Sequence, residues 1–363
     1  MKSISKQIGV LSSHPLVGYY RYKNLFQILP STFQCEMLGQ DHPLILEIRY
    51  LPDIWPHRDE LHWYRDLWEQ YRFEHIRNGA TKRGLEPGDD WVKAYEQITK
   101  MNRFPAIINE LIFLLTLFTN YRFFVSSASD QGWFISLDTT KDRTIKAQWG
   151  QRWYSFDKYE TGTELSDTSV AEVSRSPVSE YYSRTRDAIT LGEDNSILLP
   201  ENIDQLFDIY FELDSERKKS FYTACHLYNK ALKLSSESAS LSLVATVMAI
   251  EALVNCVKDK SPRCSSCNTP ESIETCDKCG VPQYRVTSLF KQFLNKFFSK
   301  TPEAKKFAQD LYITRSALAH GDLLRDDLHD SGFYAEAKDE QQMFRRNSYK
   351  VTRIAMLRWL TES

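Results

Sequence analysis

Hydrophobic and polar positions change rhythm along this chain, and the changes mark its expected elements. Over the first 55 residues short apolar runs are broken by Pro and Gly. Pro43 to Tyr50 (PLILEIRY) alternates with period two, which predicts a strand. From Arg58 to Asn78 the spacing turns helical: Leu61, Tyr64, Leu67, Trp68, Tyr71 and Ile76 fall near one stripe, and Pro56 suits the start. A polar break, RGLEPGDD, precedes a helical stretch from Trp91 to Met101, and Pro105 opens an apolar, buried helix through Phe118. Runs favouring β-structure follow at Tyr121 to Val125, Trp133 to Leu137 and Gln148 to Phe156, with turn residues Asp130, Gln131 and Gly132 between. Residues 160–200, rich in Ser, Thr and acids with Pro177 and Pro200, read as a linker carrying a short helix.

After Pro200 the pattern is helical almost throughout: Glu201 to Leu213, Ser215 to Leu234, Ala239 to Val257, Gln283 to Phe298, Pro302 to His320 and Lys338 to Thr361. Ser215 followed by Glu216 suits a helix cap. Leu241, Val244, Val247, Met248, Ala252 and Leu253 outline a broad apolar face on the helix that the bundle would be built around. No repeat of solenoid period is present. The expectation is an α+β, mostly helical protein of two domains: a mixed α/β sensor or regulatory domain over 1–200 and a helical bundle over 201–363.

The chain's 363 residues suit two domains. With 42% hydrophobic and 26% charged residues it has the composition of a folded globular protein. A net charge of −2 supplies no global positive field, so any nucleic-acid contact has to be local. The N-terminus lacks the apolar run of a signal peptide, and the greasiest stretch, Ile107 to Phe118, is short and carries Asn109 and Glu110. A cytoplasmic protein without a membrane span is expected.

Seven cysteines are an odd count, and four of them are clustered. Cys264-Ser-Ser-Cys267 and Cys276-Asp-Lys-Cys279 form two Cys-x-x-Cys hooks, close enough to share one tetrahedral ion, with Gly280 freeing the chain to turn. Four thiolates close every position around Zn²⁺ and leave none for water, so the reading is a structural zinc insert over 258–282. Two redox-active disulfides, or an iron–sulfur cluster of the same ligand count, are the alternatives, but a reducing cytoplasm and paired knuckles favour zinc. The insert acts as a staple between two helices, although Lys258, Lys260, Arg263 and Lys278 give it a basic surface for RNA or a partner.

Chemistry concentrates in Leu311-Tyr312-Ile-Thr-Arg315-Ser316-Ala-Leu-Ala-His320-Gly321-Asp322. On an ideal helix Arg315 and His320 lie about 140° apart, but Gly321 is a natural residue after a helix end, so the last turn can bring imidazole and guanidinium around one pocket. The helix C-terminus favours a cation at His320, and Arg315 offers a permanently charged fork matched to phosphate. Together they supply a general acid/base and charge for a developing phosphorane, as a ribonuclease without metal requires. The spacing alone is common by chance; its surroundings, with Ala249-Ile250-Glu251-Ala252-Leu253 upstream in an apolar helix, add weight to it.

This combination resembles the HEPN superfamily, in particular the ApeA-like and abortive-infection HEPN domains of bacterial anti-phage defence, over residues 205–360. The resemblance implies an all-helical bundle, a homodimer bringing two Arg-x4-6-His motifs into one cleft, and metal-independent endoribonuclease activity leaving a 2′,3′-cyclic phosphate. It assigns Arg315 and His320 as the catalytic pair, Ser316 as the polar residue after the arginine, and Glu251 as an acid orienting Arg315. The implied substrate is RNA, tRNA among the candidates. The trigger expected is a phage-derived molecule or a nucleotide, although residues 1–200 resemble no recognised family, and the cofactor expected is the structural Zn²⁺ read from the four cysteines. The four-cysteine insert departs from the minimal domain. The alternative is a non-catalytic HEPN dimerisation or nucleotide-binding module whose zinc insert docks a partner, and a third reading is a zinc-ribbon nucleic-acid binder.

Other clusters have simpler accounts. His57, Asp59, Glu60 and His62 could hold a metal but suit a polar helix start. Trp63 to His75, Trp149 and Trp153 could stack bases but suit a core. Arg345, Arg346, Lys350 and Arg353 form a basic stripe that could hold RNA phosphates, or a solvated helix face.

Overall fold

A computed structural model describes residues 4–31, 42–51, 54, 105–125, 131–137, 145–151, 164–183, 196–254, 285–324, 327 and 335–362. The fold is α+β. In chain order the elements are β1 (Ile4–Ser12), β2 (Tyr20–Tyr22), β3 (Phe26–Pro30), β4 (His42–Tyr50), α1 (105–119), β5 (Phe123–Phe124), β6 (Gln131–Leu137) and β7 (Ile145–Gln151). They continue with β8 (Arg175–Ser176), α2 (Val178–Ser183), β9 (Leu199–Pro200), α3 (Ile203–Glu212), α4 (Ser215–Leu234) and α5 (Ala239–Val254). The last three are α6 (Arg285–Phe297), α7 (Pro302–Ala319) and α8 (Ala335–Glu362). The helices expected over 58–78 and 91–101 lie outside the described residues.

Two compact units divide the chain: residues 1–112 with 124–173, and 113–123 with 174–363. The boundary expected near residue 200 thus moves to 173/174. Among the described residues of this stretch, β8 and β9 pair in parallel and the Leu198 amide donates to Tyr121 Oη at 3.2 Å, all within the second unit. Turn-forming composition describes a segment's backbone preferences; it carries no information on what the segment packs against.

In the first unit four antiparallel strands run in the order β2-β3-β4-β1. Val10, Tyr20, Tyr22, Phe26, Ile28, Leu44, Leu46 and Ile48 are all buried. The opposite parity of the same strands carries a polar row, because register sets Gln7 and Gln27 on either side of Glu47. Glu47 and Gln27 are buried yet bonded: Glu47 accepts from Gln27 Nε2 at 2.6 Å and from the Ser166 amide and hydroxyl at 3.1 and 2.8 Å. Arg21 and Gln7 complete the row onto Gln27 and Ser166. The strap carrying Ser166 ends in a bridge between Tyr19 and Glu172, with backbone bonds of 2.9 and 2.8 Å. Gly18 permits that approach: its φ is +97°, and a Cβ there would stand 2.7 Å from the Ala171 carbonyl oxygen. Of these strands only β4 was legible from alternation; β1 (ISKQIGVLS) interleaves Lys, Gln and Gly with its apolar positions. β6 and β7 form a separate hairpin in which Trp149 stands opposite Trp133.

In the second unit, α5 is the axis, packed against α4, α6, α7 and α8. Helix positions follow the sequence pattern closely, since caps and propensities are local. The cap of α4 is Asp214, whose carboxylate accepts from the Glu216 and Arg217 amides at 3.0 and 2.9 Å, so Ser215 is the first helical residue and not the cap. Phe118 meets Phe207 edge-on at 5.0 Å and Phe221 stacks on Trp359 at 5.5 Å, all buried.

The apolar face expected on α5 is only partly the buried one. Val247 and Leu253 are buried, whereas Leu241 and Met248 are 57% and 40% exposed. Ser240, Ser242 and Thr246 are buried in their place. Ser242 Oγ donates to the Ala231 carbonyl at 2.5 Å and Thr246 Oγ1 to the Ser242 carbonyl at 2.8 Å, so these hydroxyls enter the core satisfied. Among the described residues no helix is long and apolar enough to cross a membrane.

Candidate functional site

α7 opens on Thr301, whose hydroxyl accepts from the Ala304 amide at 3.3 Å, with Pro302 in the first turn. It closes on His320. The Gly321 amide donates to the Leu318 carbonyl at 3.3 Å and the Asp322 amide to the Ala317 carbonyl at 3.2 Å, the paired bonds of a Schellman ending. Gly321 has φ +108°, a left-handed conformation that a side chain resists even though the space around it is open. The sequence expectation that the helix stops at His320 is met. Its imidazole is exposed and makes no hydrogen bond to the described residues.

Arg315, five residues and about 1.4 turns further inside, points toward α5. Its Nη2 donates to Glu251 Oε2 at 3.0 Å, an ion pair between residues 64 positions apart. Both side chains are partly enclosed, at 27% and 17% exposure, so water does little to loosen the pair. Glu251 Oε1 and Arg315 Nε are buried without partners among the described residues. The pair is therefore one-pronged, and burial pushes the Glu251 carboxyl above its ordinary value despite the opposing charge and hydrogen bond of Arg315. Ser316, half-buried, contributes its carbonyl, which accepts the His320 amide at 3.2 Å.

The loop after His320 is tied back to the first turn of α5. The Leu324 amide donates to Ser240 Oγ at 2.7 Å. Asp327 accepts from the Ala239 and Ser240 amides at 2.6 and 2.8 Å and from Ser238 Oγ at 3.1 Å. Asp327 thus caps α5 from 88 positions away. α5 is engaged near both ends, by Glu251 to Arg315 and by its N-terminus to the loop that follows His320.

Of the sequence candidates, the structure brings Arg315 and Glu251 into contact and sets Ser316 and His320 on the last turn of the same helix. Cys264, Cys267, Cys276 and Cys279 lie outside the described residues, as do His57, Asp59, Glu60, His62, Trp153 and the aromatic stretch 63–75. Among the described residues no group of three or more metal-ligating side chains occurs. The basic stripe is corrected: Arg346 and Lys350 are exposed, but Arg353 is 6% exposed. Arg353 donates from Nε and Nη2 to the Leu117 and Phe118 carbonyls at 2.7 and 3.0 Å, closing the C-terminal end of α1. Sequence reasoning missed Asp327, for which no local signal exists, and the part played by Tyr312, which the motif contained.

Compared with known proteins, the chain matches no family model, no curated protein and no solved structure.

Proposed function

We propose that the second unit is a HEPN-type, metal-independent endoribonuclease in which Arg315 and His320 act on RNA. The observation that carries this reading is the Arg315–Glu251 pair: a partly enclosed guanidinium, gripped by one carboxylate oxygen, about 1.4 helical turns from an exposed and unengaged histidine. In the reaction His320 takes the proton from the RNA 2′-hydroxyl and the 2′-oxygen attacks the adjacent phosphorus. Arg315 stabilises the negative charge of the phosphorane, and loss of the 5′-oxygen leaves a 2′,3′-cyclic phosphate. A homodimer places a second histidine in the cleft as the acid for the leaving oxygen. Its support is the line Leu241, Val244, Met248 on α5, which leads to Glu251 with Leu241 and Met248 exposed.

The donor set of Cys264, Cys267, Cys276 and Cys279 fits a four-thiolate structural Zn²⁺, which would staple the connection between α5 and α6. The first unit is the regulatory part, and an anti-phage role would make its trigger a phage-derived molecule or a nucleotide. A non-catalytic dimerisation module is the second reading, favoured by the fact that Glu251 already engages Arg315.

The test is cleavage of RNA, tRNA included, in EDTA by the wild type, Arg315→Ala and His320→Ala, with product ends and dimer content measured for each. Cleavage by the wild type alone, with cyclic-phosphate ends, is the expected result. Equal behaviour of all three would sink the ribonuclease reading and leave the module.

A further inference from the structure

Tyr312 stands three positions before Arg315 and four before Ser316 on α7, the spacings that bring side chains together on a helix surface. Its ring meets two groups. Phe290 of α6, fully buried, lies 5.3 Å away centroid to centroid with the planes inclined at 51°. The Arg315 guanidinium carbon stands over the ring, 5.9 Å from its centroid. Tyr312 is only half-buried, and its hydroxyl has no hydrogen bond among the described residues, so neither core filling nor a polar anchor accounts for a tyrosine here. What its aromatic face does is attract the guanidinium.

Arg315 is therefore held by two contacts of different kinds. The single bond from Nη2 to Glu251 fixes one nitrogen but leaves the planar group free to swivel about that bond. The ring limits the tilt of the plane without fixing its position along the ring face. Acting together they define both. With Nε enclosed and Nη2 partly used, Nη1 and the second hydrogen of Nη2 are left to meet a phosphate.

We infer that Tyr312 is a positioning residue for Arg315: backed by Phe290, its ring holds the guanidinium plane so that the edge away from Glu251 is presented to a phosphodiester. The consequence for cleavage rests on the ribonuclease reading above; the clamp on Arg315 does not.

The experiment compares full-length wild type with Tyr312→Phe and Tyr312→Leu, all shown to melt alike. Guanidinium NMR on ¹⁵N-arginine-labelled protein, with Arg315→Lys identifying the Arg315 signal, reports rotation about its Nε–Cζ bond. Hindered rotation in the wild type and Tyr312→Phe, and faster rotation in Tyr312→Leu, is expected. On a single-stranded RNA oligonucleotide, Tyr312→Leu should lose roughly tenfold to a hundredfold in kcat with KM little changed, and Tyr312→Phe should retain wild-type rates. Unchanged Arg315 rotation in Tyr312→Leu overturns the inference whatever the cleavage data. Equal losses in Phe and Leu variants also overturn it, because the hydroxyl and not the ring would then matter. Faster rotation in a protein whose wild type cuts no RNA upholds the clamp and fails only the ribonuclease reading.

Discussion

On the proposed reading the Arg315 guanidinium has to be held without being used up, and its one-pronged ion pair to Glu251 is compatible with that condition. The same geometry makes Glu251 titrate abnormally. Burial raises its carboxyl and the charge and bond of Arg315 pull it back only in part, so the folded value stands above the unfolded one. The folded state then binds the proton more tightly, and ionising Glu251 costs stability as pH rises from the ordinary carboxylate value to the raised one. A ¹³C titration of the Glu251 carboxyl should give a midpoint above that of an ordinary glutamate, and Arg315→Ala should move it higher still. A midpoint that falls in Arg315→Ala would show that Arg315 does not hold the Glu251 carboxyl down. The sequence contained both residues and suggested their contact, but not its one-sided form, which depends on how deep each side chain sits.

Among the elements, α5 illustrates what periodicity leaves open. Ala239–Val254 is apolar nearly all round, so its pattern predicts a buried helix but cannot select which side meets the neighbours. Packing against four other helices made the choice, and it exposed Leu241 and Met248. The N-terminus of α5 depends equally on a distant partner. Burial pushes the Asp327 carboxyl up, but hydrogen bonds from Ser240, Ala239 and Ser238 outweigh it and the net direction is downward. This contribution is present above the ordinary aspartate value and is lost as pH falls through the depressed one. Asp327→Ala should therefore lower stability near neutral pH by about 1 kcal/mol. In denaturant unfolding that difference should shrink toward zero in acid; a difference independent of pH would mean that the carboxylate is not the source.

For the molecule as a whole, long-range polar contacts tie together segments that composition had set apart. Arg353 spans more than 230 positions to close α1, and residues 174–200 belong to the helical unit. Replacing Arg353 with Met strips two buried carbonyls of their donors and should cost about 3 kcal/mol in chemical denaturation. Replacing the exposed Arg346 the same way should change stability by less than about 0.5 kcal/mol. Similar small effects for both would place Arg353 on the solvated face that its spacing along the helix suggests.

The sequence by itself determined where the helices of the second unit run, where α7 ends and that a glycine ends it. Propensity, capping and φ preference act over a few residues and are written in order along the chain. It also placed Arg315, Ser316, His320 and Glu251 in the two helices that carry the candidate site. Only the tertiary structure decided which face of α5 is inside, that Asp327 caps it, that Arg353 is buried, and that Glu251 and Tyr312 both contact Arg315. Each of these depends on burial and on partners brought close by packing, and many different packings are compatible with the same local pattern.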